Sequence, residues 1–184
     1  MVSEKVDGTS CTYAVNRPKK NKDKFEFIVC SRNVRQADRN QECYHESNIY
    51  WELADKYNIE EKLTKLAFAG GYDRVVLQGE GVGNVQGNPY KLKESDLYVF
   101  NLIIDGKRQS TKTMSEYCEN HGFKHVPVVD WNFKLPKTME EMKLLADGNS
   151  LINPSVKREG CVYRDQLGQK SFKNVSREYL LKNS

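Results

Sequence analysis

Leu77-Gln78-Gly79-Glu80-Gly81-Val82-Gly83 sets a carboxylate between glycines directly behind a short apolar run, Val75 to Leu77. The run predicts a short buried strand. Glycines there allow a tight turn or a close ligand approach, and the Glu80 carboxylate can meet a ribose hydroxyl or a metal ion. The pattern equally fits a β-bulge or turn that binds nothing. It is a poor phosphate loop, since the GxxxxGK[ST] frame is absent.

Outward from this stretch, Leu97 to Ile104 is the strongest strand signal, and Asp105-Gly106 predicts a hairpin turn behind it. Tyr98 and Phe100 share one face of that strand, because side chains alternate. Thr113 with Glu116, and Thr138 with Glu141, fit capping boxes for helices near 114–121 and 139–147, with Gly148 as a stop. Gly160 to Arg164 and Phe172 to Val175 predict two further strands. Toward the N-terminus, Val2 to Val15 reads as a strand bent by Gly8, Asn16 to Asp23 as a loop, and Phe25 to Arg32 as a strand. Asn33 to Glu46 is polar and offers no core. Ser47 to Ala69 has helical periodicity with a break near Asn58, ended by Gly70-Gly71. Short strands joined by hairpins, with a few helices among them, predict an α+β fold rather than βαβ winding.

The 184 residues fit one domain, or one domain with a short appendage. Apolar residues at 38% and aromatics at 10% argue against a disordered chain. The net charge of +4 permits nucleic-acid or nucleotide binding without demanding it. Basic residues crowd Arg17 to Lys24 and the C-terminal stretch from Lys157 to Lys182. The five cysteines, Cys11, Cys30, Cys43, Cys118 and Cys161, have no CxxC spacing, and the histidines are His45, His121 and His125. A structural zinc site and a secreted disulfide framework are both disfavoured. No apolar run approaches the roughly 18 residues of a membrane span. A reducing cytoplasm is the expected setting.

Several short patterns can carry chemistry. Glu4-Lys5-Val6-Asp7-Gly8 can end a strand with an amine facing a pocket. Arg158-Glu159-Gly160-Cys161-Val162 is a second carboxylate–glycine pair entering a strand, and Ser171-Phe172-Lys173-Asn174-Val175 places a lysine on the next. Each alone is unremarkable. Their order is not: KxDG, an arginine strand at Cys30-Ser31-Arg32, GEG, an aromatic strand, EG, then FK. In this order the sequence resembles the covalent nucleotidyltransferase superfamily of DNA and RNA ligases and capping enzymes. LQGEGVGNVQGNPYKL (77–92), YWELADKYNIEEKL (50–63), EYCENHGFKHVPVV (116–129) and SFKNVSREYLLK (171–182) are most similar to ATP-dependent RNA ligases, in particular the branch with an N-terminal OB domain.

The resemblance implies an ATP-grasp-like ligase adenylylation domain, with antiparallel sheets and flanking helices, over residues 1–184. It implies ATP with Mg²⁺ or Mn²⁺ as cofactors. Lys5 would attack the α-phosphorus of ATP, AMP would pass to an RNA 5′-phosphate, and a 3′-hydroxyl would seal the strand. An attacking amine must be unprotonated, and a neighbouring cation or metal favours that form. Lys173 would be that cation and hold the α-phosphate. Asp7 and Gly8 would shape the pocket, Ser10 and Arg32 would lie near ribose and phosphate, and Glu4 would meet the adenine. Glu80 would bind ribose or metal, and Glu159 metal. Phe100, or else Tyr98, would stack on the purine.

The sequence departs from the family in three places. Val175 stands where many relatives carry a second lysine of the last motif, and Lys182 is the substitute. Only four residues precede Lys5, so the N-terminal strand start and the OB domain are expected to be missing. Little follows Lys182. RNA ends are the expected partners, with no membrane. Nick repair and joining of single-stranded breaks both fit. Two other readings stay open: a DNA ligase or capping-type nucleotidyltransferase, and a truncated nucleotide- or RNA-binding module without catalysis.

Overall fold

The computed structural model describes residues 1–19, 24–36 and 48–183, with side chains through Leu181. Lys20, Lys22, Cys43, His45 and the Lys182 side chain lie outside the described residues.

The chain opens with two strands, not one bent strand: β1 (Val2–Glu4) and β2 (Thr9–Asn16). They belong to different sheets, and the chain crosses between them at Asp7-Gly8. A Cβ on Gly8 would stand 2.2 Å from the Gly81 carbonyl oxygen, so only glycine fits this crossing. β3 (Glu26–Cys30) returns antiparallel to β2. Then come α1 (Ile49–Lys56) and α2 (Ile59–Gly70), broken at Asn58, whose φ is 48°. The Asn48 side chain caps α1 by accepting from the Tyr50 and Trp51 N–H groups. Gly71, at φ 65°, closes α2.

β4 (Arg74–Val82) and β5 (Asp96–Ile104) follow, then β6 (Lys107–Arg108), α3 (Thr111–His121), β7 (Lys124–His125) and β8 (Val128–Asp130). Asp105 and Gly106 adopt positive φ in the expected hairpin between β5 and β6. The cap of α3 is Ser110, which accepts from the Thr113 N–H, so that helix starts earlier than the Thr113–Glu116 box predicts. α4 (Met139–Ala146) has the expected Thr138–Glu141 capping box. β9 (Gly160–Arg164), β10 (Ser171–Val175) and α5 (Arg177–Asn183) complete the chain.

Two sheets result, one in the order β3-β2-β4-β5-β6 with β7 beside β5, the other in the order β10-β9-β1-β8. Among the described residues the strand pairs are antiparallel except β5 with β7. The α+β class is as expected. One face of the larger sheet is dry: Tyr13, Val15, Leu77, Val99 and Leu102 pack against Leu53, Ile59, Leu63, Met114 and Cys118 of α1, α2 and α3. Its other face carries a smaller cluster of Val6, Val82, Tyr90 and Val126, with Tyr98 and Phe100 packed against it.

The Gly-Glu-Gly stretch is strand, not turn. Gly79 and Gly81 face the dry side, where a Cβ would meet Leu97 Cδ1 at 2.8 Å and Cys11 Sγ at 2.9 Å. The bulge sits opposite, on β5. Gln78 pairs with Asn101 but Gly79 with Val99, so Phe100 is the extra residue. Alternation shifts there: Leu97 and Val99 face the helices before the bulge, Leu102 after it.

Candidate active site

Lys5 directly follows β1. Its N–H donates to the Gly160 carbonyl at 2.9 Å, which ties the nucleophile candidate to the start of β9. Its Nζ lies 2.5 Å from Oε2 of Glu159, the residue before that glycine, with side chains 22% and 15% exposed. Gly160 has φ 154°, and a Cβ there would stand 2.1 Å from the Asn174 carbonyl oxygen. The Glu-Gly pair is therefore one device. Glycine lets β10 close on β9, and the preceding glutamate is left facing Lys5.

Lys5 opens into a cavity of about 310 Å³ between the two sheets. One wall comes from the smaller sheet: Ser3, Glu4, Val162 and Arg164. The other comes from the larger sheet and its edge: Ser10, Arg32, Glu80 and Phe100. Val6 and Val126 complete it. Ser10 and Glu80 are direct cross-strand partners, so they share a face. Six residues expected from sequence thus meet in one cavity: Glu4, Lys5, Ser10, Arg32, Glu80 and Phe100.

Other expected residues take up positions around it. Asp7 is held from two sides: its N–H donates to the Tyr90 hydroxyl at 2.7 Å, and the Tyr179 hydroxyl donates to its carboxylate. Gly8 approaches the neighbouring strand β4 at the Gly81 carbonyl. Lys173 is the cross-strand partner of Val162, so it stands on the cavity-facing side of the small sheet, but it is exposed and outside the wall. Glu4 is buried, and both oxygens accept hydrogen bonds, from Ser150 Oγ and from the Leu151 N–H, each at 2.6 Å. Tyr98 packs in the smaller apolar cluster, outside the cavity wall.

The electrostatics of the cavity centre on Glu80. Burial pushes its carboxyl up to about 7; Lys5 and Arg32 oppose the shift, while Glu159 and Asp7 add to it. Burial also raises Glu4, against the pull of Ser150, Leu151 and Arg158. Among the described residues no three acidic, histidine or cysteine side chains converge as a metal cage. One or two carboxylates beside open space suit a cation such as Mg²⁺, which keeps several waters and shares phosphate oxygens. Around Glu80, the carboxylates of Glu159 and Asp7 are set against the cations Lys5 and Arg32, a balance that a metal ion would shift toward neutrality.

Ser3, Val6, Val126, Val162 and Arg164 also line the cavity, and no sequence motif marks them for it. For Val162 and Arg164 a signal existed, since strand alternation from Gly160 puts both on the side of Lys5. Ser150 and Leu151, which fix Glu4, carried none.

The chain matches the RNA ligase family over residues 1–182. No curated protein matches it. Among solved structures it is similar to Naegleria gruberi RNA ligase in several forms. A glutamate-to-alanine variant with ATP and Mn is 30% identical, with a TM-score of 0.82. The form with PPi is 31% identical at a TM-score of 0.81, and an apo lysine-to-alanine variant is 32% identical at 0.80. Each likeness covers 98% of this chain and 50% of the Naegleria chain. The chain thus spans about half the length of the ligase it is similar to. A family match over nearly every residue, and a shared fold at this identity, agree with the lysine-and-carboxylate cavity: this chain belongs to the RNA ligase family.

Proposed function

We propose that residues 1–184 form the ATP-dependent adenylylating core of an RNA ligase, with Lys5 as the nucleophile. The carrying observation is the Lys5 amine, 2.5 Å from Glu159, in one cavity with Glu80, Arg32 and Phe100. The solved Naegleria ligases with ATP or AMP and Mn support the same reading.

Nζ of Lys5 forms a bond to the α-phosphorus of ATP, the bond from that phosphorus to the pyrophosphate oxygen breaks, and the amine proton leaves. AMP stays on Lys5 as a phosphoramidate. Lys173 stands on the same sheet face to neutralise charge developing on the α-phosphate. Phe100 gives the purine an apolar wall, with Glu4 at the base, where its unused lone pairs can accept from an exocyclic amine. Ser10 and Arg32 serve the ribose and phosphate. Asp7 and Gly8 hold the nucleophile loop in register. Glu80 and Glu159 would hold Mg²⁺ or Mn²⁺, which neutralises their charge and favours the unprotonated amine. AMP then moves to an RNA 5′-phosphate, and an RNA 3′-hydroxyl displaces it in strand repair. No helix among the described residues is long and apolar enough to cross a membrane. Cys11, Cys30, Cys118 and Cys161 are free thiols, which supports a reducing, cytoplasmic setting.

The test is incubation with α-labelled ATP and Mg²⁺, denaturing electrophoresis, and mass mapping. One AMP on Lys5, lost in Lys5→Ala, is the expected result. A label retained in Lys5→Ala overturns the assignment, and a folded chain that takes no label overturns the function.

A further inference from the structure

We propose that a second, basic cleft formed by Lys107 and Arg108, reached from the Lys5 cavity through Arg164, carries the phosphodiester backbone of the RNA strand whose 5′ end receives AMP. This rests on the ligase reading above.

The cleft measures about 700 Å³ and is lined by Ile103, Gly106, Lys107, Arg108, Gln109 and Gln169. It forms where the β5–β6 hairpin meets the turn between β9 and β10. That meeting fixes the Arg108 guanidinium. Its Nη1 donates to the Gly168 carbonyl at 3.1 Å, and Gln169 Nε2 donates back to the Arg108 carbonyl at 3.1 Å. An arginine has five N–H donors, and among the described residues this is the only hydrogen bond the Arg108 guanidinium makes. No described carboxylate forms an ion pair with Lys107, Arg108 or Arg164. The two acids nearest in sequence accept from backbone N–H groups rather than from these cations, Asp165 within the turn that lines the cleft. Asp105 accepts from the Asp73 and Arg74 N–H groups, and Asp165 accepts from the Gln169 N–H.

Arg164 lines the Lys5 cavity and is tied to β5, the strand whose Ile103 lines the cleft. Its Nη1 donates to the Phe100 carbonyl at 2.5 Å and to Asn101 Oδ1 at 3.0 Å. Its Nε is buried without a partner. Burial, with the Arg108 charge second, brings this guanidinium down to about 10. Two cations placed together without an acid repel, and an anion that spans them relieves the repulsion. The strand to be adenylylated must put its 5′-phosphate at Lys5, so its next nucleotides must leave the cavity. A path lined by cations, with no aromatic platform in the cleft, suits phosphates more than bases.

The experiment is RNA binding by the full chain across a salt series, with a 5′-phosphorylated single-stranded RNA and with self-adenylylation by ATP measured alongside. Wild type is compared with Lys107→Gln/Arg108→Gln and with Arg108→Lys. The double variant is expected to bind RNA on the order of tenfold more weakly and to lower the salt slope by about 1.4, two charges at about 0.7 each on a single strand. Its self-adenylylation and ATP dependence stay as in wild type, and Arg108→Lys keeps most of the slope. An unchanged slope in the double variant overturns the proposal. So does a raised ATP requirement, which gives the cleft to the nucleotide, or an equal loss in Arg108→Lys, which traces the effect to the Gly168 contact. A wild type that labels with AMP but binds no RNA overturns it as well. A wild type that takes no AMP sinks the ligase reading instead.

Discussion

β4 has two unlike faces. Toward the helices it shows Val75, Leu77, Gly79 and Gly81, packed dry beneath Leu53 and Leu63. Toward the second sheet it shows Glu80, which shares a cavity with Lys5, Arg32 and Phe100. The first face is chosen for volume: side chains shrink to glycine where neighbours crowd in. The second tolerates a half-buried carboxylate at an energetic cost, which the charges of Lys5 and Arg32 partly offset. A strand of nine residues thus serves stability on one side and chemistry on the other.

Substitutions on the two faces should therefore separate the two properties. The largest effect is on chemistry: Lys5→Ala should abolish the AMP label while the chain still unfolds cooperatively. Leu77→Ala, on the opposite face, should cost about 2–5 kcal/mol in denaturant unfolding. The molecules still folded should take AMP at the wild-type rate. If Leu77→Ala slowed labelling of folded molecules, the two faces would not be independent.

Glu80→Gln sharpens the comparison. Burial raises this carboxyl in the folded chain to about 7 from an ordinary 4.5. Between those values the folded state holds more protons than the unfolded one, so wild-type stability falls as pH rises through this window. Glu80→Gln should flatten that slope, for a relative gain of up to about 2 kcal/mol at pH 8 after allowing for solvent screening. Unfolding midpoints at pH 5 and pH 8 measure it. A variant that tracks wild type at both pH values would mean that Glu80 is well solvated. The smallest effect belongs to the supporting helices. Asn48→Ala removes the α1 cap and should cost about 1 kcal/mol, read by the same unfolding assay, with AMP labelling unchanged.

Much of this was legible in the sequence. The strand at Leu97 to Ile104, the break at Asn58, the Asp105-Gly106 turn and the strands at the C-terminus are local signals, and they appear where the local rules put them, although the bulge at Phe100 shifts the alternation within the first. The errors were local signals overruled from a distance. Val2 to Val15 reads as one strand because its pattern is continuous. It becomes two because Gly8 lets the chain cross between sheets. Gly-Glu-Gly suggests a turn because glycine permits one. It is a strand because helices and neighbouring strands crowd Gly79 and Gly81. The Thr113 box loses to Ser110, one turn earlier.

The candidate site divides the same way. The sequence by itself determined the chemistry available: a lysine ahead of Asp-Gly, carboxylates beside glycines, an aromatic on a strand. It also determined the order in which they come, which is what points to the family. Spacing along a chain carries no distance through space, so only the tertiary structure could bring Lys5 to 2.5 Å from Glu159. Packing of the two sheets also decided that Lys173 stands outside the wall, that Glu4 is bound to Ser150 and Leu151, and that Arg164 faces the cavity. Those positions depend on strand register and on the volume of neighbours from distant parts of the chain, and no local pattern encodes either.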